Sequence, residues 1–389
     1  MGASRSPRRR TSRLPPWAAL DTAQQESDAF LVAFSGGADS TALLHRLMEA
    51  RRAGKPPFHR RTLPLAAAHV HHGLQAQADA WLAHCAEQCA AWGVPFFAAR
   101  VTVDAHLCTR LGLEAVARRA RYRALATLAH DWAAELARSE NRLTPLRITV
   151  VTAHHRDDQV ETFWFRLLRG SGVLGLGAMR PWGPYPLVCS EPESRVACDP
   201  CLAAYDGRTV RLNLWRPLLT TSKSALVAYL REQRITWHED PTNQTFDTKA
   251  HGGMRRNALR HALLPALRRT WPGLDAVSER TARVMQEAHA CLMDLAEIDA
   301  AAIVDGAGRW RLDSFSALPA HRQRNLLRWA LQANGWQPPP EARLDEALRQ
   351  LAAHRSARKH APWTFRLTAQ ALLCADRQGV WLTPPRPTP

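Results

Sequence analysis

The chain has 389 residues, enough for two or three domains with their own cores. Hydrophobic residues make up 46%, which excludes a disordered protein. The formal net charge is +17, which favours a polyanionic partner, RNA or DNA, over an acidic small molecule. Lys occurs only at Lys55, Lys223, Lys249 and Lys359, so the cation is nearly all Arg, whose planar fork suits phosphate.

Met1 to Pro16 carries Arg5, Arg8, Arg9, Arg10 and Arg13 with no apolar run behind them. That reads as a flexible basic arm over 1–27 rather than a signal peptide. From there apolar runs alternate with helical patterns. Strands are predicted at 29–34, 63–70, 95–101, 147–153 and 210–215, and helices at 39–52, 77–92, 112–138, 157–168 and 222–233. This alternation predicts an α/β domain over 28–238, a doubly wound parallel sheet with ligands at the carboxyl ends of its strands. Residues 180–209, rich in Pro, Gly and Ser with Cys189, Cys198 and Cys201, read as a surface insertion. Cys198-Asp-Pro-Cys201 has zinc-type spacing but no second pair to match it. From 239 to 382 the pattern becomes mostly helical. Helices are predicted at 255–269, 272–302, 316–334 and 340–354, and short strands at 363–367, 370–374 and 379–382. The tail, 383–389, is Pro-rich.

Three strand ends carry polar clusters. After the first comes Ser35-Gly36-Gly37-Ala38-Asp39-Ser40, between a strand and a helix start. Two glycines let backbone approach an anion, and free N–H groups at the helix start point at it. Asp39 would repel phosphates unless a cation lies between, so it suggests Mg²⁺. After the second comes His69-Val-His71-His72-Gly73, and after the fourth His154-His155-Arg156-Asp157-Asp158. Asp157, Asp158 and Glu161 share a helix face, and like charges that close need a cation, Mg²⁺ or a substrate ammonium. Glu114, Arg118 and Arg121 line one stripe of the long helix; a solvated ion-pair face is the plain alternative there.

The loop at 35–40 resembles the PP-loop of the N-type ATP pyrophosphatases, which cleave ATP between its α- and β-phosphates. It has no Lys after the glycines and is not a Walker A loop. A narrower resemblance rests on further segments: His69 to Leu74, Glu114-Ala-Val-Ala-Arg118 with Arg121-Tyr122, His155 to Thr162 and Leu168 to Gly172. Glu239 to Asn243, Arg256-Asn257-Ala-Leu-Arg260 and Leu264 to Leu267 extend it past the sheet. Together they resemble the bacterial tRNA(Ile)-lysidine synthases over roughly residues 28–335.

That resemblance implies a Rossmann-like PP-loop domain followed by a helical tRNA-binding domain. It implies ligation of L-lysine to C2 of the wobble cytidine in an isoleucine tRNA with a CAU anticodon, through an adenylated tRNA, releasing AMP and pyrophosphate. It assigns ATP to Ser35, Gly36, Gly37, Ala38, Asp39 and Ser40, with Mg²⁺ on Asp39. It assigns lysine to Glu114, Asp157 and Glu161, and catalysis to Asp39, Asp157, Glu161 and Arg118. His71, His72 and His155 position substrate, and Arg256, Asn257 and Arg260 contact tRNA. Longer relatives carry a further C-terminal module that grips the acceptor stem, and an end at 389 implies that it is missing. Pro241-Thr242-Asn243 replaces the commoner Asp- or Glu-Ser-Asn sequence of these proteins.

Two rivals remain. A PP-loop tRNA cytidine 2-thiolase would carry cluster-binding cysteines where this chain has Glu114 to Arg118, and a non-catalytic RNA-binding protein would not need the intact loop and acids. No run approaches the ~20 apolar residues of a membrane span. Scattered Cys fit reduced thiols and a cytoplasmic location, and a homodimer is compatible with the sequence.

Overall fold

The structure, a computed structural model, describes residues 14–58, 63–73, 77–102, 108–109, 112–141, 146–186, 202–205, 208–239, 254–356 and 362–385. Cys189, Cys198 and Cys201, with the zinc reading placed on them, lie outside the described residues, as do Leu74 and Asp240 to Asn243.

The first half opens with α1 (Leu20–Glu26), β1 (Ala29–Ala33), α2 (Ala38–Arg52), β2 (Leu65–His71), α3 (Ala78–Trp92) and β3 (Phe96–Arg100). It continues with α4 (Leu113–Ser139), β4 (Arg147–Val151), α5 (Arg156–Leu167), α6 (Val173–Leu176), β5 (Trp182–Pro184), β6 (Leu202–Tyr205), β7 (Arg208–Trp215) and α7 (Lys223–Glu232). The sheet order is β3-β2-β1-β4-β7-β5, with β6 also on β7. Strands β1, β2, β3, β4 and β7 run parallel.

Strand alternation explains why helices cover both faces. Phe30 and Val32 of β1 point into a core with Leu43, Leu44 and Leu47 of α2, Cys85 and Cys89 of α3, and Leu226 and Leu230 of α7. Ala29 and Leu31 point the other way, against Leu125, Ala129, Trp132 and Ala133 of α4. Strand order reverses between β1 and β4. The crevice at their carboxyl ends is where such sheets bind ligands.

Two expectations are corrected here. The arm placed over 1–27 is anchored from Leu14 onward. Leu14, Trp17 and Leu20 pack against the core, Trp215 donates to the Ala18 carbonyl at 2.7 Å, and the Arg46 guanidinium lies 3.9 Å from the Trp17 ring. The insertion at 180–209 contributes sheet: β5 and β6 both pair antiparallel with β7.

Next come α8 (Met254–Ala258), a π-helical turn at Leu259–Leu263 and α9 (Leu264–Thr270). The helix expected over 255–269 runs unbroken from Met254 to Thr270 and differs only in this π turn. Pro265 cannot donate to the i−4 carbonyl, and the ladder widens just before it. The 30-residue α10 (Leu274–Ile303) follows. Chain contacts divide at Arg283/Val284, so Arg256, Asn257 and Arg260 belong to the compact unit that holds the parallel sheet.

The second unit contains β8 (Trp310–Arg311), α11 (Leu312–Ala317), α12 (Ala320–Ala333), α13 (Glu341–Ser356), β9 (Trp363–Arg366), β10 (Leu372–Ala375) and β11 (Gly379–Thr383). Its small sheet has the order β8-β11-β10-β9. The helix expected over 316–334 is instead two, because Leu318 turns extended before Pro319 caps α12. Phe315, Leu326, Leu327, Leu331, Leu344 and Leu373 make its core.

Two carboxylates tie its turns. Asp305 accepts from the backbone N–H of Arg309 and Ala307 at 2.8 and 2.9 Å, and Asp376 from Gln378 and Gly379 at 2.8 and 2.9 Å. The bond from the Arg309 N–H holds Asp305 below the usual carboxylate value of 3.8. A depressed value stabilises above 3.8 and is lost as pH falls through the lowered one. Asp305→Ala is therefore expected to lower Tm at pH 7, with a deficit against wild type that narrows below pH 3.8. A deficit constant with pH in thermal melts would refute the assignment.

Candidate functional site

The site is built at the crevice between β1 and β4. Gly36 has φ +78°, and a Cβ there would lie 2.5 Å from His238 Nε2 and 2.8 Å from Cys85 Sγ. Only glycine fits on both counts. The Ser35 N–H donates to Ser40 Oγ at 3.2 Å, and that hydroxyl donates to the Gly37 carbonyl at 3.1 Å. His69 Nδ1 donates to the Phe34 carbonyl at 2.9 Å. His238 fastens the loop from outside, its Nε2 on the Ser35 carbonyl at 2.7 Å and its N–H on the Gly36 carbonyl at 3.2 Å. Trp81 stacks on that imidazole at 5.0 Å. Gly37 caps α2 with no side-chain acceptor, so the first-turn N–H groups stay open to an anion.

Gly36→Ala is expected to cost ~1–3 kcal/mol through left-handed strain and to push His238 off the loop. Nucleotide binding should fall with it. ATP affinity and Tm both equal to wild type would show that the loop does not need this shape.

His155 caps α5 from the other side of the crevice, in a capping box with Asp158. Its imidazole lies 3.5 Å from Asp39, 3.5 Å from Asp158 and 3.7 Å from Asp157. Burial disfavours the imidazolium, but the Asp39 hydrogen bond and the charges of Asp158, Asp39 and Asp157 outweigh it, so His155 is raised above 6.5. Burial pushes Asp39 up, yet the His155 bond and the charges of His155, Lys223 and Arg260 hold it below 3.8. Asp39 Oδ2 faces His155 and, at 3.8 Å, Lys223 Nζ, while Oδ1 is buried with no hydrogen-bond partner. That orphaned oxygen beside an open helix N-terminus fits a cation shared with phosphates. Among the described residues no three His, Cys, Asp or Glu side chains are arranged to hold a metal ion by themselves. One carboxylate plus phosphate oxygens is the Mg²⁺ pattern.

The acids on α5 and α4 are met by arginines. Glu161 is 3% exposed and accepts from Arg260 at 2.8 Å, with Arg256 3.9 Å away. Arg260 also lies 3.5 Å from Asp158, and Arg256 lies 2.5 Å from Glu114. Asp157 accepts from the Lys223 N–H at 2.9 Å and from Arg268 at 3.3 Å. Burial disfavours the Arg260 cation, but Glu161, Asp158 and Asp39 together raise it. The π turn therefore presents Arg260 to α5, and the cluster holds both signs of charge.

Of the other residues singled out, His72 lines a cavity of about 650 Å³ that also contains Ser35, Asp39 and Asp158. Its Nδ1 is buried and unpartnered, and burial with the nearby Arg121 pushes it down to about 4. His71 lines the same cavity but its Nε2 lies 3.3 Å from Asp79. Arg118 donates to the Tyr122 hydroxyl at 3.1 Å. Asn257 is exposed. Sequence reasoning missed Lys223, His238, Trp81 and Arg268. None carries a local motif, since each reaches the site from an element distant in sequence.

A family described as a PP-loop domain matches residues 17–267, and one described as the TilS substrate binding domain matches residues 311–381. The tRNA(Ile)-lysidine synthase of Aromatoleum aromaticum is 38% identical over 91% of this chain, which spans 69% of that protein. That of Azoarcus sp. strain BH72 is 37% identical over 90%, spanning 64% of its length. Among solved structures, U34-tRNA thiolase NcsA from Methanococcus maripaludis covers 67% of this chain and 73% of its own at 13% identity and a TM-score of 0.38. A sheet with a glycine-turn anion loop, matched over most of its length to those synthases, places this chain in the tRNA(Ile)-lysidine synthase family.

Proposed function

We propose that the protein uses ATP to join L-lysine to C2 of the wobble cytidine of an isoleucine tRNA with a CAU anticodon. The observation that carries this reading is Asp39. One of its oxygens is buried and unpartnered, and the residue lines a cavity that the loop and Asp158 of the acid–arginine cluster also line.

The chemistry has two displacements. The cytidine O2 attacks the α-phosphorus of ATP, the α–β bridge breaks, and pyrophosphate leaves. The ε-amine of lysine then attacks C2, the C–O bond breaks, AMP leaves with that oxygen, and the amine loses a proton. In-line transfer of this kind depends on positioning and charge neutralisation. Ser35, Gly36, Gly37, Ala38 and Ser40 supply donors and backbone N–H groups to the triphosphate, and Lys223 adds a cation beside it. Asp39 would hold Mg²⁺, which when bound would neutralise charge on the leaving pyrophosphate. His155, raised above 6.5 by the Asp39 hydrogen bond and the charges of Asp158, Asp39 and Asp157 against the opposing effect of burial, fixes the Asp39 carboxylate. Asp157, Glu161 and Glu114, interleaved with Arg260 and Arg256, suit the α-ammonium and α-carboxylate of an amino acid and leave its ε-amine to react. Arg118 stands near the reacting base, His71 and His72 border it, and Asn257 is the exposed RNA contact on the Arg256–Arg260 stretch.

The test is incubation with ATP, labelled lysine and a CAU isoleucine tRNA transcript, followed by nucleoside analysis. Labelled lysidine is the expected product. Intact transcript with no lysidine and no pyrophosphate exchange would overturn the proposal.

A further inference from the structure

Three arginines at the carboxyl end of the sheet have no acid to answer them among the described residues. Arg118 and Arg121 lie on α4, and Arg216 follows β7. Arg118 Nη2 donates to the Tyr122 hydroxyl at 3.1 Å, and Arg216 hydrogen-bonds the same phenol. The guanidinium carbons of Arg118 and Arg121 lie 5.0 and 5.9 Å from the Tyr122 ring centroid. Three cations thus converge on one phenol, itself fixed where Tyr185 donates to its backbone carbonyl at 2.8 Å.

Among the described residues none of the three forms an ion pair with a carboxylate. The acid whose charge reaches Arg121, Glu114, is occupied by Arg256 at 2.5 Å. Arg216 Nε is buried with no hydrogen-bond partner, while Nη1 donates to the Arg180 carbonyl at 2.8 Å. The neighbouring imidazoles supply no negative charge. Burial, then the charges of Arg216, Arg121 and Arg118, hold His154 well below 6.5. Arg121 and Tyr122 line the same cavity as the loop at 35–40.

Arg118 is exposed, but Arg121 and Arg216 are partly buried, and like charges drawn out of water are costly unless an anion completes them. Planar guanidinium forks take phosphate oxygens in pairs. Arg121 borders the loop's own cavity, and Arg216 is set apart from the loop across the sheet. Strand β7 is two strands from β1, ~10 Å across the sheet, and β4 with the crevice lies between.

We propose that Arg118, Arg121 and Arg216 form a second anion site, which grips a backbone phosphodiester of the RNA substrate beside the base presented to the loop. This rests on the tRNA reading given above.

The experiment uses the full chain and a CAU anticodon stem-loop in which single linkages around the target cytidine are replaced by neutral methylphosphonates. One such linkage is expected to weaken wild-type binding about tenfold, as for loss of a charge-assisted phosphate contact. Arg216→Gln and Arg121→Gln should bind the unmodified loop that much more weakly and be indifferent to that linkage. Their salt slope should be shallower by ~0.7, one single-strand phosphate. Their KM for ATP should stay within about twofold of wild type, since the loop holds the triphosphate.

Variants that feel the neutral linkage as strongly as wild type would overturn the inference. So would weaker ATP or pyrophosphate binding with loop affinity intact, which would hand the site to the nucleotide. A lowered Tm with both affinities intact would make the arginines structural. Wild-type protein that forms lysidine yet ignores every neutral linkage would refute this site alone. Protein that neither binds the loop nor forms lysidine would refute the tRNA reading with it.

Discussion

Asp39→Asn is expected to leave the protein folded and to slow adenylation of tRNA by ~10²-fold or more, the typical loss for a group that stabilises developing charge. The side chain keeps its size, so packing is untouched. What changes is the charge at the buried Oδ1, which has no protein partner to lose. The amide can still accept near His155 and Lys223 through the other position, 3.5 and 3.8 Å away. It is a poor ligand for a hard divalent cation. The defect should therefore appear in single-turnover adenylation, and raising Mg²⁺ should recover part of it. His155 supplies an internal control. Its raised value rests in part on Asp39, so the imidazole titration followed by NMR should move down in the variant. A wild-type rate at saturating Mg²⁺, with the histidine shifted, would show that Asp39 organises the loop and takes no part in the chemistry.

The sheet domain was legible because its strands are apolar on both faces and its helices have one apolar side. Phe30 and Leu31 face opposite cores, and no other element type satisfies both. What escaped reading depends on partners far along the chain. Leu14 and Trp17 sit in a segment whose composition says loose arm, and they become core only where β7 brings Trp215 beneath them. Trp182 to Pro184 has too few residues to declare a strand until β7 offers its edge.

The site divides in the same way. Ser35 to Ser40 and His155 to Glu161 are contiguous and carry their chemistry in order, so they could be read directly. His238 shows the limit. It is one histidine beside Trp237, and only the fold puts its Nε2 on the Ser35 carbonyl, 203 residues away. The acids on α5 were read as needing a cation, Mg²⁺ or an ammonium substrate. The structure gives them Arg256, Arg260 and Arg268 as well. Arg256 pairs with Glu114, and Arg260 with Glu161 and Asp158.

Glu161→Gln is expected to separate the two half-reactions. Glu161 is almost fully buried and accepts two bonds from Arg260, at 2.8 and 3.3 Å on the same oxygen. The amide keeps the volume and an acceptor but deletes the charge that balances Arg260 and Arg256. Arg260 then keeps Asp158, at 3.5 Å, and the charge of Asp39. Since Arg260 is 39% exposed, water offsets much of the loss, and stability should fall by only ~1 kcal/mol. Lysine, by contrast, meets a cluster shifted one unit towards positive, which repels its α-ammonium. Apparent KM for lysine should rise ~10-fold or more, the loss of one charge-assisted contact, while KM for ATP changes little. Adenylation of tRNA in the absence of lysine should proceed at close to the wild-type rate. Equal collapse of adenylation and of lysine transfer would mean that Glu161 serves the nucleotide or its metal. In that case the arginines around it would be holding the catalytic loop's neighbourhood together, and the amino acid would have to be sought elsewhere in the cavity.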